Sequence, residues 1–275
     1  TREVIAISSV RSRLLEPGYA YLRISQFRGN TGEEFVEELT ELMAADEELK
    51  GVVLDLRNNP GGVLQASVQV VDAFIDDGVV VSTKGRLEEA QSSYRATTQT
   101  LAPDLPLVVL VNEGSASASE IVAGALQDHK RALIMGTESF GKGSVQTVLP
   151  LAADKAIKLT TSLYYTPSGR SIQAQGVVPD IEVEEAFVTR RARSVTQYRE
   201  SDLSGHLENG NGAADDNVDA EQSKEGQSGL SAEELAQVLI TAEEVLVNDY
   251  PLNEALNVLN GFNAYKPLAM KNTED

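Results

Sequence analysis

Apolar positions along this chain switch between two periods, with turn signals separating them. Residues 3–10 and 19–24 are rich in β-formers and predict strands. Thr31-Gly-Glu-Glu34 has the form of a capping box, and Phe35, Leu39 and Leu42-Met43 follow at helical spacing. Gly51-Val-Val-Leu-Asp-Leu56 is a short apolar run of the kind that forms a buried strand. It ends in Asn58-Asn-Pro-Gly-Gly62, a strong turn signal. Residues 63–75 return to helical spacing through Val63, Val70, Val71 and Phe74. Strands are expected over 79–83, 107–111 and 132–135, a helix over 117–127, and extended chain over 145–151 and 156–165. Strand–turn–helix units in this succession predict an α/β domain with a central sheet, and no internal repeat is visible.

The pattern breaks near Ser201. Residues 201–229 hold no aromatics, few aliphatics and a single lysine, Lys224, among many acids. Such a segment cannot bury enough surface to offset its ordering entropy, so a disordered acidic linker is expected. Ser231-Ala-Glu-Glu234 then opens a capped helix carrying Leu235, Leu239 and Val245, and residues 251–259 predict another through Leu252, Leu256 and Leu259. The organisation expected is a core over 1–200, a linker over 201–229 and a helical end-piece over 230–275 that serves packing or oligomerisation.

Composition narrows the function. The chain has 275 residues, 41% of them hydrophobic, enough for one large domain or two smaller ones. Its net charge of -19 repels nucleic acid and anionic membrane surfaces, and neither is expected as a partner. With no cysteine there are no disulfides, thiolate metal sites or cysteine nucleophiles. No run is long and apolar enough to span a bilayer. The chain opens on Thr1-Arg-Glu-Val without a targeting segment, as a processed fragment would, so its location is open.

Candidate chemistry gathers in Asn112-Glu-Gly-Ser-Ala-Ser-Ala-Ser-Glu120 and Gly136-Thr-Glu-Ser-Phe-Gly-Lys-Gly-Ser-Val-Gln146. A serine at a helix start sits where unpaired N–H groups and a partial positive charge can stabilise an oxyanion. Ser117 is therefore a candidate nucleophile; the plain alternative is that Ser115, Ser117 and Ser119 cap and pack the helix, since Ser117-x-x-Glu120 is itself a capping box. Lys142, 25 residues downstream between Gly141 and Gly143, is a candidate base, because a lysine in surroundings that favour the neutral amine can take a serine proton. The alternative is a solvated loop lysine. Gln146 could orient that lysine if the chain bends at Gly143. Gly61 and Gly62, with Ala118, could bring backbone N–H groups to an oxyanion, or form only a tight turn.

Other catalytic patterns fail. Gly136-x-x-x-x-Gly-Lys142 starts a phosphate-binding loop but continues with Gly143 and an extended segment in place of a helix. Of two histidines, His206 falls in the expected linker, and His129 ends the helix about 18 Å of rise from Ser117. The Gly-x-Ser-x-Gly elbow is missing, since Ala116 follows Gly114 by two. No acid and histidine cluster has metal spacing.

Asp55-Leu-Arg-Asn-Asn-Pro-Gly-Gly62, Gly114-Ser-Ala-Ser-Ala-Ser-Glu-Ile121 and Phe140-Gly-Lys-Gly-Ser-Val-Gln146, in this order, resemble the carboxy-terminal processing (tail-specific) proteases. The resemblance covers most of residues 1–185, and Gln173-Ala-Gln-Gly-Val-Val-Pro-Asp180 extends it. It implies a Ser–Lys–Gln set of Ser117, Lys142 and Gln146, with oxyanion donors at Ala118 and at Gly61 or Gly62. It implies a fold akin to the crotonase and Clp-protease superfamily, built on ββα units, and proteolysis of protein substrates without a cofactor or metal. Bacterial members work largely in the periplasm or cell envelope, and some need an adaptor protein; a homo-oligomer through the terminal segments is expected. Members usually carry a PDZ domain before this core, and nothing in residues 1–275 reads as a complete one. Two rivals remain: a gated scaffold that binds protein tails or an adaptor without cutting, and an acyl-CoA enzyme of the same superfamily.

Overall fold

The computed structural model describes residues 8–86, 91–98, 100–152, 155–186 and 249–271. The elements are β1 (Val10–Glu16), β2 (Tyr19–Ile24), α1 (Thr31–Ala45), β3 (Gly51–Asp55), α2 (Leu64–Asp72), β4 (Val79–Gly85) and β5 (Ser92–Arg95). They continue with β6 (Leu107–Val111), α3 (Ala118–Asp128), β7 (Leu133–Gly136), β8 (Ser144–Ala152), β9 (Lys155–Tyr165), β10 (Ile181–Glu182) and α4 (Tyr250–Lys271). One sheet has the order β1-β2-β3-β6-β7-β10, antiparallel only between β1 and β2. The other, β5-β4-β9-β8, is antiparallel throughout. The expected α/β domain with a central sheet is present.

The near-continuous apolar runs of β3 and β6 follow from burial on both faces. Val52, Leu54, Leu107, Val109 and Val111 face one core with α1, α2 and α3, while Val53, Val108 and Leu110 face a second core with Leu252, Leu256 and Leu259 of α4. On α1, Phe35, Leu39 and Leu42 recur on one face, and Phe35 meets Phe74 edge-on at 5.9 Å between ring centres. All residues of α3 from Ala118 to Leu126 are buried, and its small Ala123, Gly124 and Ala125 suit a helix enclosed on most sides.

Several expectations need correction. The first described strand is Val10–Glu16, whose apolar face is interrupted by Ser12 and which is defined by pairing with β2; residues 1–7 lie outside the described residues. The cap of α1 falls on Asn30, one residue before Thr31. Glu34 turns away from a capping box to accept the Ser9 N–H at 3.0 Å and the Ser9 hydroxyl at 2.8 Å. The C-terminal helix runs from Tyr250 to Lys271, past the expected residue 259. The expected linker and the helix from Ser231 lie outside the described residues.

Candidate active site

Three neighbouring parallel strands deliver the site. The chain leaving the carboxyl ends of β3, β6 and β7 forms the loops 56–62, 112–117 and 137–143. In open α/β sheets, ligands bind beyond the carboxyl ends of the strands. The first two loops are laced together. The Asn58 N–H donates to Asn112 Oδ1 at 2.8 Å, and the Ala116 N–H and Ser119 hydroxyl both donate to the Asn59 carbonyl at 2.9 Å.

Ser117 closes the second loop as the N-cap residue of α3, with φ 56° and ψ -108°. A residue with a Cβ at such angles is strained by about 1–3 kcal/mol and persists only where its surroundings fix it. Here the fixing group is Glu120, which is fully buried. Its Oε2 accepts the N–H of Ser117 at 2.7 Å and of Lys142 at 2.9 Å, and its Oε1 accepts the Gly141 N–H and the Ser139 hydroxyl, both at 2.6 Å. One carboxylate thus ties the serine loop to the lysine loop. The sequence pattern Ser117-x-x-Glu120 signals only the first of these four bonds.

The segment Gln173–Asp180 buttresses the lysine loop from outside. The Ala174 N–H donates to the Gly141 carbonyl at 2.9 Å, the Gly143 N–H to Gln173 Oε1 at 3.2 Å and the Val177 N–H to Ser139 Oγ at 2.7 Å. At Gly143 the need for glycine is close approach. A Cβ there would collide with Gln173, and the irregularity of β8 falls between Val145 and Gln146.

Gly61 and Gly62 are required by close approach as well as by φ values of 91° and 147°. A Cβ on Gly61 would stand 2.5 Å from the Ala116 carbonyl oxygen and 2.8 Å from the Ala118 nitrogen; one on Gly62 would collide with the Phe27 carbonyl. The two amides differ. That of Gly61 donates to Asn59 Oδ1 at 2.9 Å, whereas those of Gly62 and Ala118 have no acceptor among the described residues.

A cavity of about 380 Å³ has Gly61, Gly62, Ser117, Lys142, Gln146 and Tyr164 in its wall. Ser144, Gln146 and Val148 of β8 reach it together because alternate strand residues share a face, and Lys142 joins them from the loop before the strand. Lys142 is half-buried, and its Nζ makes no hydrogen bond with Ser117 or Gln146 among the described residues. Tyr164, on β9, carried no sequence signal. Burial raises its phenol pKa, against the contact of its hydroxyl with the Ser117 side chain, which lowers it. His129 stands at the far end of α3, its Nε2 2.8 Å from the Val79 carbonyl. Because residues 144–152 are strand, the phosphate-binding loop has no helix to open. Among the described residues no acid and histidine group is arranged to hold a metal, and no helix is long and apolar enough to cross a membrane.

Behind the glycine turn lies a second anchor. Asp55, fully buried, accepts from Arg57 Nε at 3.0 Å, Arg57 Nη2 at 2.7 Å and the Tyr21 hydroxyl at 2.8 Å. Arg57 also grips Asp249, at the start of α4, through two bonds of 2.8 and 2.7 Å. Burial opposes charge on both partners, but the pairing outweighs it, holding Asp249 below the usual carboxylate range and Arg57 above its own. Burial, then Asp55, push the Tyr21 phenol up to about 12.

Fold and cavity together define an α/β protein built around a serine at a helix start, at the carboxyl ends of parallel strands. The chain belongs to peptidase family S41, whose sequence profile matches residues 18–183. It is 47% identical over 208 residues to a carboxy-terminal-processing protease of Bartonella bacilliformis, covering 75% of this chain and 48% of that protein. It is 40% identical over 193 residues to a carboxyl-terminal-processing protease of Synechocystis, covering 69% of this chain and 44% of that one. Among solved structures, a photosystem II D1 C-terminal processing protease aligns with a TM-score of 0.58 at 37% identity, over 67% of this chain and 50% of its own. The chain spans about half the length of these relatives.

Proposed function

We propose that this chain is the catalytic core of a serine peptidase that processes proteins from their carboxyl-terminal region. The observation that carries the reading is the single cavity whose wall contains Ser117, Lys142, Gln146 and the Gly61-Gly62 turn. Neutral Lys142 takes the Ser117 proton as Oγ attacks a peptide carbonyl. The oxyanion accepts the amides of Gly62 and Ala118, of which Gly62 is favoured over Gly61 because the Gly61 amide is already engaged. The Lys142 ammonium then protonates the leaving amine and is neutral again; water gives a proton to Lys142 as it attacks the acyl-enzyme, and Lys142 returns that proton to Ser117 Oγ as the acid product leaves. Gln146 orients the amine. Nζ must close on Oγ when substrate fills the cavity, as catalytic hydrogen bonds often tighten only in the complex. The core is of the crotonase-like kind, the protein works at the cell envelope, and an adaptor or self-association governs access to it.

The test is cleavage of an unfolded protein substrate, with products sized by mass spectrometry. Ser117→Ala and Lys142→Ala should each lower cleavage on the order of 10³-fold or more without changing the melting temperature. Undiminished cleavage by Ser117→Ala would refute the assignment. The missing bond between Lys142 and Ser117 favours one second reading, a gated core that binds tails without cutting. Substrate retention without products, in the presence of candidate adaptors, would establish it.

A further inference from the structure

A second cavity, of about 600 Å³, opens over the β1–β2 hairpin, with Arg11, Arg13, Tyr21, Arg23, Ser25 and Asp249 in its wall. The strand register sets Arg11 opposite Arg23 and Arg13 opposite Tyr21, so these four share one face. Like charges directly across an antiparallel pair repel and destabilise it. Arg23 is relieved in part by Asp55 at 3.3 Å. Arg11 and Arg13 have no carboxylate partner among the described residues. The Arg13 guanidinium lies 4.8 Å over the Tyr21 ring, and its Nε is buried without a hydrogen-bond partner. The carboxylates nearby are committed: Asp249 to Arg57, Glu34 to Ser8 and Ser9, and Glu38 to Ser12. In a chain where acids outnumber bases 42 to 23, two arginines that face one cavity with no carboxylate partner among the described residues are a conspicuous departure.

We propose that this cavity binds an acidic peptide segment whose carboxylates meet Arg11 and Arg13. Guanidinium forks match carboxylate geometry, and buried donors left unpaired are costly until an acceptor arrives. Arg11 and Arg13 are alternate residues of one strand, about 7 Å apart along it, the same repeat as alternate side chains on an extended peptide. A single phosphate is too small to span that interval. Ser25 lines this cavity and the adjacent Gln26 lines the cavity of Ser117. An acidic stretch of a protein substrate, away from the cleaved bond, therefore fits the site. That last step rests on the peptidase reading; the binding itself does not.

Fluorescence anisotropy with fluorescein-labelled hexaglutamate, and hexaglutamine as the uncharged control, tests it. Hexaglutamate should bind the unaltered chain and Ser117→Ala alike, and hexaglutamine should not. Replacing Arg11 and Arg13 together by Gln should weaken binding about tenfold or more, roughly the loss of one strong charge-assisted contact. Arg11→Glu should abolish binding yet raise the melting temperature, because it sets opposite charges across the pair. Cleavage of a short uncharged peptide should be unchanged in both arginine variants. Equal binding by the double variant, or equal binding of hexaglutamine, overturns the proposal. So does capture of phosphatidylserine vesicles through these arginines with hexaglutamate unbound. If Ser117→Ala blocks cleavage while hexaglutamate fails to bind, this inference falls and the peptidase reading stands.

Discussion

Glu120 and Asp55 are both fully buried carboxylates, and each ties distant loops together, but they do so by different chemistry. Glu120 is surrounded by neutral donors: three backbone N–H groups and one hydroxyl. Asp55 is bound by cations and a phenol, and through Arg57 it reaches Asp249 and the start of α4. The neutral knot fixes backbone positions on either side of Ser117 with no second charge to balance, which suits a site that must be preorganised. The charged knot joins segments far apart in sequence, and its strength depends on protonation. One carboxylate thus ties together the loops that carry Ser117 and Lys142, while the other, through Arg57, reaches the start of the C-terminal helix.

Removing Glu120 should have the largest effect. Glu120→Ala strips the acceptor from four donors, each costing about 1–3 kcal/mol when buried and unsatisfied. A loss of about 4 kcal/mol or more in urea unfolding is expected, together with loss of cleavage. Glu120→Gln keeps the shape but turns an amide toward donors, so cleavage should still fall by about 10²-fold or more. Normal cleavage by Glu120→Gln would show that the knot is dispensable for the site.

Arg57→Ala comes next, since it leaves two carboxylates facing each other without their cation. Breaking a buried pair in this way costs about 3–5 kcal/mol. Hydrogen exchange should rise throughout α4, and less in α3. If α3 and α4 lose protection equally, the two knots are not separable. Acid should do the same more gently. Asp249 is held below the ordinary carboxylate value of about 3.9, so its contribution is complete above that pH and is lost as pH falls through its lower folded value. Exchange in α4 should therefore increase below about pH 4 in the unaltered chain and much less in Asp249→Asn.

The smallest effect is expected at Tyr164. Tyr164→Phe removes only the hydroxyl that touches Ser117, for about 1 kcal/mol of stability and less than about tenfold in cleavage. A larger loss of cleavage would promote Tyr164 from the cavity wall to the chemistry.

The strands β2 and β6 and the helices α1, α2 and α3 were legible because their apolar positions keep one period between clear turn signals. Strand β1 was not, because Ser12 interrupts its apolar face, the alternation ends at Leu14-Leu15 where the register with β2 shifts, and only pairing with β2 defines it. Strand β5, Ser92-Ser-Tyr-Arg, is short and largely exposed, and has no apolar pattern to detect. Ser117, Lys142 and the Gly61-Gly62 turn stood out because small residues cluster where backbone must approach backbone. The four-way role of Glu120, the place of Tyr164 and the grip of Arg57 on Asp249 depend on contacts between residues far apart in the chain, which no local pattern encodes. The bond from the Gly61 amide to Asn59, on which the proposed preference for Gly62 rests, is likewise invisible in the sequence.

The central claim is that Ser117 is the nucleophile and Lys142 its base. Mass spectrometry after treatment with an activated acyl ester tests both at once, by locating the acyl group and timing its appearance. A single adduct on Ser117, its formation slowed by about 10²-fold or more in Lys142→Ala, is the expected result. An adduct on another residue, or one forming on Ser117 at the same rate without Lys142, would contradict it.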